Sequence, residues 1–342
     1  MRRLIAVPGL AIVALLAACA MPGATSPAGG DTAAAAVPGY RTVADLPLPG
    51  GSSRWAYQVL DSRTGRLYLA HQGASEVVIV DTLQQRVIAT VPGIESVHGL
   101  ALAAAIGRLY AAANAGGEVA VIDLASARVV ARVPTGAGPD GVAYASSAGR
   151  LFVANGAGGG ETIVDVRSNR PLARVDVGDA PSDSQIDPSS GRVLVSSSGR
   201  RELVALDPVS QMVVARYPIP SCDDADGVQV DVSRQDRAFV SCGGNARLEG
   251  VDLVTGRASP PLEVGAGPDL LAIDLALHRL YVASESGILT VVDTAGVEPT
   301  VLTRGFAGPD AHSVAVDPDT HLVYLPLASV GGRSVLRVLA PI

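Results

Sequence analysis

The sequence predicts an all-β protein folded as a seven-bladed β-propeller, and three observations support this prediction. A short motif of Gly, Arg and two apolar or aromatic residues recurs every 42 residues, first at positions 65–68. A second marker, an apolar run ending in Asp, keeps nearly the same phase; it falls at Asp81, Asp123, Asp165, Asp207, Asp252 and Asp293. Short β-branched segments alternate with Gly, Pro and Asp turns. A fixed period near 40 residues with such segments is typical of propellers, in which each repeat supplies four strands.

One repeat shows how the strands are assigned. Residues 100–102 form the inner strand, 108–112 the second, 119–122 the third and 129–133 the fourth. The inner strands are continuously apolar, as expected when both faces are buried between neighbouring blades. The fourth strand alternates apolar and polar residues, which is typical of a strand at the rim.

The two ends of the chain predict how the ring closes. The last repeat stops after a third strand at 334–338, and the segment 42–50 matches the outer strands of other repeats, such as 87–93. Pairing this N-terminal strand with the last blade gives seven complete blades and leaves no open sheet edge between the termini.

The first residues read as an export signal. Arg2 and Arg3 precede an apolar run that is too short to span a bilayer, and the run ends in Leu-Ala-Ala-Cys at 16–19. This ending resembles the bacterial lipobox. The sequence therefore predicts a signal peptide at 1–18, a lipidated Cys19 with a flexible tether at 19–39, and the propeller at 40–342. The alternative is an ordinary cleavage site with a chance Cys. The predicted location is the periplasm, with the lipid in a bacterial membrane.

The repeats also resemble the YVTN-repeat family of seven-bladed β-propellers. The Tyr-Val-Thr-Asn element is represented by residues 68–71, 152–155, 239–242 and 281–284, and the similarity extends from about residue 40 to the C-terminus. The resemblance implies the fold and an extracytoplasmic protein, and it implies little about activity, since propellers host many functions.

Composition excludes several functional classes. The 342 residues carry a net charge of -7, and aromatic residues make up 4% of them, so a basic face or stacking rings for nucleic acid are not expected. All 26 basic residues are Arg, which excludes Schiff-base chemistry by a Lys side chain.

Three His residues are predicted to converge on one face of the ring. His71 ends the second strand of the first blade, and His98 and His312 enter the inner strands of the second and seventh blades. Because these blades are neighbours in a closed ring, the three imidazoles could hold a transition metal. The alternative is three hydrogen-bonded turn residues. His278 and His321, on the opposite face, are read as turn residues.

The same face is predicted to be acidic. One Asp lies in each of five successive inner-strand entrances, at Asp140, Asp183, Asp226, Asp269 and Asp310. Such a set would favour a cation or a basic ligand at the mouth of the channel, although Asp is also a common turn residue. The acidic run 222–227 could bind Ca²⁺ only partially, because it lacks the spacing of an EF-hand loop.

Cys222 and Cys242 belong to one blade, one before its inner strand and the other at the end of its second strand. In an oxidising periplasm two such cysteines usually form a disulfide. The alternative is a copper site that shares them with the histidines.

Two functional hypotheses follow. The first is a lipid-anchored periplasmic propeller that binds a ligand or a protein without catalysis, with no nucleic acid as partner. The second is a metal-dependent lyase or oxidoreductase at the histidine face, which would be similar in architecture to the streptogramin lyases.

Overall fold

The computed structural model describes residues 36–233 and 236–342. The predicted signal peptide, Cys19 and most of the predicted tether lie outside these residues. The described residues form seven four-stranded antiparallel sheets, and six of the sheets follow chain order from the inner strand to the outer one. This arrangement confirms the predicted seven-bladed propeller.

The strands are numbered in chain order. β1 spans Tyr40–Pro47. Blade 1 contains β2 to β5, at Gln58–Asp61, Arg66–His71, Glu76–Asp81 and Arg86–Pro92. Blade 2 contains β6 to β9, at Val97–Ala103, Arg108–Ala113, Glu118–Asp123 and Arg128–Pro134. Blade 3 contains β10 to β13, at Pro139–Ala145, Arg150–Asn155, Glu161–Asp165 and Arg170–Val175. Blade 4 contains β14 to β17, at Pro181–Ile186, Val193–Ser197, Glu202–Asp207 and Met212–Pro218.

The remaining strands complete the ring. Blade 5 contains β18 to β21, at Ala225–Asp231, Arg237–Cys242, Arg247–Asp252 and Leu262–Glu263. Blade 6 contains β22 to β25, at Pro268–Asp274, Arg279–Ser284, Ile288–Asp293 and Thr300–Phe306. Blade 7 contains β26 to β28, at Ala315–Val316, Val323–Val330 and Arg333–Pro341, and β1. Three short 3-10 helices lie at Gln72–Ala74, Ala104–Ile106 and Gly243–Asn245.

Strand burial follows the predicted pattern. The third strand of blade 2, β8, is buried at its four central positions, because adjacent blades cover both of its faces. Its outer strand, β9, alternates exposed and half-buried residues along most of its length. The rim of the ring is therefore solvated, and the core lies between the blades.

β1 closes the ring as predicted. It pairs antiparallel with β28 from Tyr40 opposite Pro341 to Pro47 opposite Val335. Arg337 Nε and Nη2 donate to Asp45 at 2.8 and 2.5 Å, and Arg337 Nη1 donates to the carbonyl of Ala307 at 2.7 Å. The N-terminal strand is thus fixed to the last blade by both backbone and side-chain bonds.

No helix in the part of the chain that the structure describes has the length and hydropathy needed to span a membrane.

Candidate functional site at the channel mouth

The inner strands of the blades begin with the same register, and this register places one side chain per blade at the mouth of the channel. Val97, Pro139, Pro181, Ala225 and Pro268 each pair with the last residue of the adjacent second strand. In each of these five blades a bulge follows this first pair. The residue after the pair on the inner strand therefore occupies the same structural position in all five blades.

We call this set the mouth ring. It comprises Ala56, His98, Asp140, Ser182, Asp226, Asp269 and His312, one residue from each blade in order. Ala56 and His312 are assigned by sequence position. Each lies five residues before an Asp, Asp61 or Asp317, just as Asp226 and Asp269 lie five residues before the Asp that ends their inner strands. Six of the seven positions are polar.

Two of the five predicted acidic residues lie outside this ring. Asp183 follows the ring residue Ser182, and its side chain accepts hydrogen bonds from the backbone N–H groups of Ser184 at 2.8 Å and Val228 at 2.9 Å. Asp310 has a positive φ of 56° in the turn before His312, and its carboxylate bonds to that imidazole. Side chains alternate in direction along a strand, so the shift of one residue turns Asp183 away from the ring position.

The three ring carboxylates interact electrostatically. Burial, followed by the charges of Asp226 and Asp183, raises the pKa of Asp140 well above its ordinary value. Burial, with Asp226 and Asp140 next in importance, does the same to the pKa of Asp269. Burial raises the pKa of Asp226 to about 6. The hydrogen bond that Ser182 Oγ donates to it at 2.5 Å acts in the opposite direction and lowers the pKa. The ionised forms of these buried carboxyl groups are therefore disfavoured unless a positive charge lies beside them.

His98 and His312 flank Ala56 in the ring. His98 Nδ1 donates to the carbonyl of Ser96 at 2.7 Å, which leaves Nε2 as an acceptor, 3.4 Å from Gln72 Nε2. Burial, then Arg54 and His312, lowers the pKa of His98. The His312 side chain is 1% exposed; its Nδ1 lies 3.1 Å from Asp310. His312 Nε2 has no hydrogen-bond partner in the described structure and lies 3.9 Å from Asp269 Oδ2.

His71 does not join these two imidazoles. It is fully buried, and its ring stacks on Trp55 with centroids 3.7 Å apart. Its Nε2 lies 2.8 Å from Ser53 Oγ and its Nδ1 3.3 Å from Glu76. Within the described residues, no group of three or more His, Cys, Asp or Glu side chains is placed to hold a metal ion. The predicted site of His71, His98 and His312 is thus not assembled, because aromatic packing holds one member apart.

The predicted calcium loop is not assembled either. Asp223 bonds to Arg201 at 3.0 Å, Asp224 accepts from Ser198 Oγ at 3.2 Å, and Asp226 accepts from Ser182. The three carboxylates of this loop therefore face three different partners rather than a common centre.

Arg54 shows which chemistry the mouth accepts. Its guanidinium Nη2 lies 2.7 Å from Glu285 and 3.7 Å from Asp269, so an arginine of blade 1 reaches the carboxylates of blade 6. The Arg54 side chain is 43% exposed, and the ion pair is accordingly open to solvent.

A hydrogen bond crosses the channel below the ring. The hydroxyl of Tyr57, in blade 1, donates to Asp183 Oδ1 in blade 4. Two cavities of about 280 and 230 Å³ lie beside this bond, and both contain Tyr57 and Asp183 in their walls. The first is lined by blades 1 to 4, and the second by blade 1 and blades 4 to 7. The bond therefore divides the channel into two lobes.

Sequence reasoning missed a buried carboxyl beside this bond. Glu161 is fully buried in β12, and its Oε1 accepts from Ser184 Oγ at 2.8 Å while Oε2 has no partner in the described structure. Burial raises its pKa to about 8. The sequence contains a signal for this residue, because Glu161 breaks the repeat pattern. The equivalent positions in other blades are apolar: Val77, Val119, Leu203, Leu248 and Leu289.

The predicted disulfide is confirmed. Cys222 and Cys242 are joined with Cα atoms 5.0 Å apart. Cys222 lies four residues before its ring residue, where blades 4 and 6 have Gly178 and Gly265. A Cβ on Gly178 or Gly265 would lie only 2.6 Å from Oγ of Ser197 or Ser284, the residues equivalent to Cys242. In blades 4 and 6, glycine avoids a clash with the serine on the second strand at this close approach. In blade 5 the same close approach is bridged by the disulfide.

Comparisons with known proteins agree with the fold. Residues 67–236 match the family model of the cytochrome D1 heme domain. Among solved structures, hydrazine synthase from Kuenenia stuttgartiensis is similar, with a TM-score of 0.73 and 16% sequence identity over 86% of this chain and 97% of that chain. No curated protein matches the sequence. At this identity the structural similarity shows the propeller fold alone.

Proposed function

We propose that the protein is a non-catalytic binding module whose mouth ring takes an organic cation with ammonium or guanidinium groups. The observation that carries the proposal is the placement of Asp140, Asp226 and Asp269 at equivalent positions around one mouth. There Asp226 raises the pKa of Asp140 and of Asp269, and Asp140 also raises the pKa of Asp269, because each negative charge opposes the ionisation of its neighbour. A basic ligand relieves that repulsion.

Two further observations favour an extended organic cation over a compact metal ion. The ring carboxylates are near enough to interact electrostatically, yet no three ligating side chains in the described residues are grouped for one ion. Arg54 already presents a guanidinium to Asp269 and Glu285.

The similarity to a heme domain raises haem as a second candidate, and the channel residues do not fit it. The Tyr57–Asp183 bond crosses the space that a flat macrocycle would fill, and each lobe is smaller than the roughly 300 Å³ at which small-molecule pockets begin. The carboxylate groups of a haem would also meet the acidic ring. His312, whose Nε2 has no hydrogen-bond partner among the described residues, is almost fully buried.

The proposal is tested by calorimetric titration with spermidine, using 1,4-butanediol as an uncharged comparison. We expect spermidine to bind and the diol not to bind. The double variant Asp140→Asn, Asp226→Asn should lose affinity by about tenfold or more, as expected for removal of charge-assisted hydrogen bonds.

The matched control is Asp123→Asn with Asp252→Asn, which removes the same charge from turns after β8 and β20. These variants should change the affinity less than twofold. If the two double variants lost the same affinity, the loss would reflect net charge alone and would contradict binding at the ring. A wild-type protein that does not bind spermidine would also contradict the proposal.

We also propose that the module is a periplasmic lipoprotein of the YVTN-repeat type. The support is in the sequence: the lipobox-like residues 16–19, the apolar run before them and the repeat motifs. Replacing Cys19→Ser should abolish incorporation of radiolabelled fatty acid and release the protein from the membrane fraction or leave an uncleaved precursor. Labelling that persists in this variant would refute lipidation at Cys19.

A further inference from the structure

A groove between blades 2 and 3, at the end of the ring opposite the mouth, departs from the repeat in two places. Tyr144 precedes the last residue of β10, where the other blades have Leu60, Leu102, Ile186, Val230, Ile273 and Val316. Arg167 lies two residues after Asp165, where other blades have Leu83, Ala125, Val209, Val254 and Ala295. Both departures place a hydrogen-bonding group where the fold itself requires only an aliphatic side chain.

Both residues line one cavity of about 800 Å³, together with Arg108, Arg150, Ser147, Asn169 and one carboxylate, Asp165, which is paired with Arg150. Arg108 Nη1 bonds to Asp123 at 2.5 Å, and Arg150 Nη1 bonds to Asp165 at 2.6 Å. Each of these guanidinium groups uses one nitrogen on its carboxylate, so further N–H donors remain. The exposed Arg167 adds a positive charge that no carboxylate in the described residues pairs.

Tyr110 provides an independent observation. Its side chain is 1% exposed, its ring packs against Tyr144 with centroids 6.2 Å apart, and its hydroxyl has no hydrogen-bond partner among the described residues. The equivalent hydroxyl of Tyr281 bonds to Tyr40. Burial and the neighbouring Tyr144 raise the pKa of Tyr110 to about 12, so the hydroxyl remains a donor at neutral pH. Tyr110 itself does not line the groove; it supports the groove wall by packing against Tyr144, which does.

We propose that this groove binds a tetrahedral oxyanion, the phosphate or sulfate group of a small ester. Arginine donors match the oxygens of such groups, and tyrosine and serine hydroxyls add neutral donors. The site is separate from the mouth ring and does not depend on the function proposed for it.

The test is titration of the full chain with inorganic phosphate and with inorganic sulfate at constant ionic strength, followed by the Tm and by calorimetry. We expect saturable binding of at least one anion, and the tighter of the two identifies the ester class. Arg167→Leu and Tyr144→Leu should each weaken binding by about tenfold. These two replacements introduce the residues found at equivalent positions, Leu83 and Leu102, and should preserve the fold.

The matched control is Arg86→Leu, which removes an exposed arginine at the start of β5, outside the groove. Its affinity for the anion should equal that of the wild type. Failure of both anions to bind would overturn the proposal. An affinity that Arg167→Leu and Arg86→Leu reduce equally would also overturn it, since the loss would then reflect net charge alone.

Discussion

Glu161 carries a carboxyl group at a position that the repeat otherwise fills with Val or Leu. Its neighbours across the blade interface are Ser184, which donates to it, and Asp183, whose charge further opposes its ionisation. Because its pKa is about 8 in the folded protein, this carboxyl group is protonated at neutral pH. In the unfolded chain the pKa of Glu161 is near its ordinary value of 4.5.

This difference predicts how stability depends on pH. The folded state retains the Glu161 proton to higher pH than the unfolded state, so the free energy of unfolding falls as the pH rises from about 4.5 to about 8. Replacing Glu161→Gln should raise the Tm relative to wild type at about pH 9 and should leave it little changed at about pH 5. The control variant Ser184→Ala retains the Glu161 carboxyl group, so its Tm should depend on pH as that of the wild type does. If the Tm of Glu161→Gln and of wild type changed in parallel with pH, Glu161 would not be the titrating group.

The ring carboxylates give a second pH prediction at the same scale. Because burial raises the pKa of Asp226 to about 6, acidification through this pH removes the negative charge of Asp226 from the mouth. Spermidine keeps its charge over the same interval, so its affinity should fall between about pH 7.5 and about pH 5. Calorimetric titration at the two pH values measures the change, and an affinity that is equal at both would be inconsistent with binding at these residues.

At the scale of single elements, sequence and structure agree on strands and differ on side chains. The apolar runs and turn residues predicted β6 to β9 to within a few residues, and the outer-strand pattern at 42–50 predicted the pairing of β1. The position of Asp183 was not predictable in the same way. Blade 4 has Ser-Asp where blade 3 has Asp-Gly, and only the observed register shows which residue faces the mouth. The stacking of His71 on Trp55 depends on a loop contact that the repeat does not encode.

The pairing of β1 with β28 predicts the effect of an N-terminal truncation. A chain that begins after residue 50 loses the outer strand of blade 7 and the Asp45–Arg337 ion pair, which leaves the edge of β28 unpaired. We expect a lower Tm by thermal unfolding. A chain that begins at Ala36 is the control, since it shortens the protein but retains β1; equal melting of the two truncated chains would refute the closure argument.

The disulfide is an addition to one blade, and blades 4 and 6 show how the same place is built without it. The double variant Cys222→Gly, Cys242→Ser copies their glycine and serine. For a separation of 20 residues the chain-entropy model gives a loss of about 3 kcal/mol. Urea unfolding should show this loss with the fold retained. Reductant should lower the stability of wild type only; an equal response of the variant would contradict the assignment.

At the scale of the whole molecule, the apolar core is divided among the blade interfaces. One cluster joins Leu67 and Leu69 of blade 1 with Tyr324 and Leu336 of blade 7. Six further clusters in the described residues join the other pairs of adjacent blades in the same way. The repeat period predicted this arrangement, because each blade needs neighbours on both sides to bury its faces. It could not predict contacts between opposite blades, which depend on single side chains long enough to cross the channel.

The Tyr57–Asp183 bond is such a contact, and it gives the ring a strut along its diameter. Without such a bond, a displacement of blade 1 reaches blade 4 only by passing through three blade interfaces in one direction or four in the other. The strut offers a direct route between these blades, and Asp183 extends it to the backbone of Val228 in blade 5. Blade 1, which lies next to the seam where the two chain ends meet, is therefore linked across the channel to blades 4 and 5, and the latter carries Asp226 of the mouth ring.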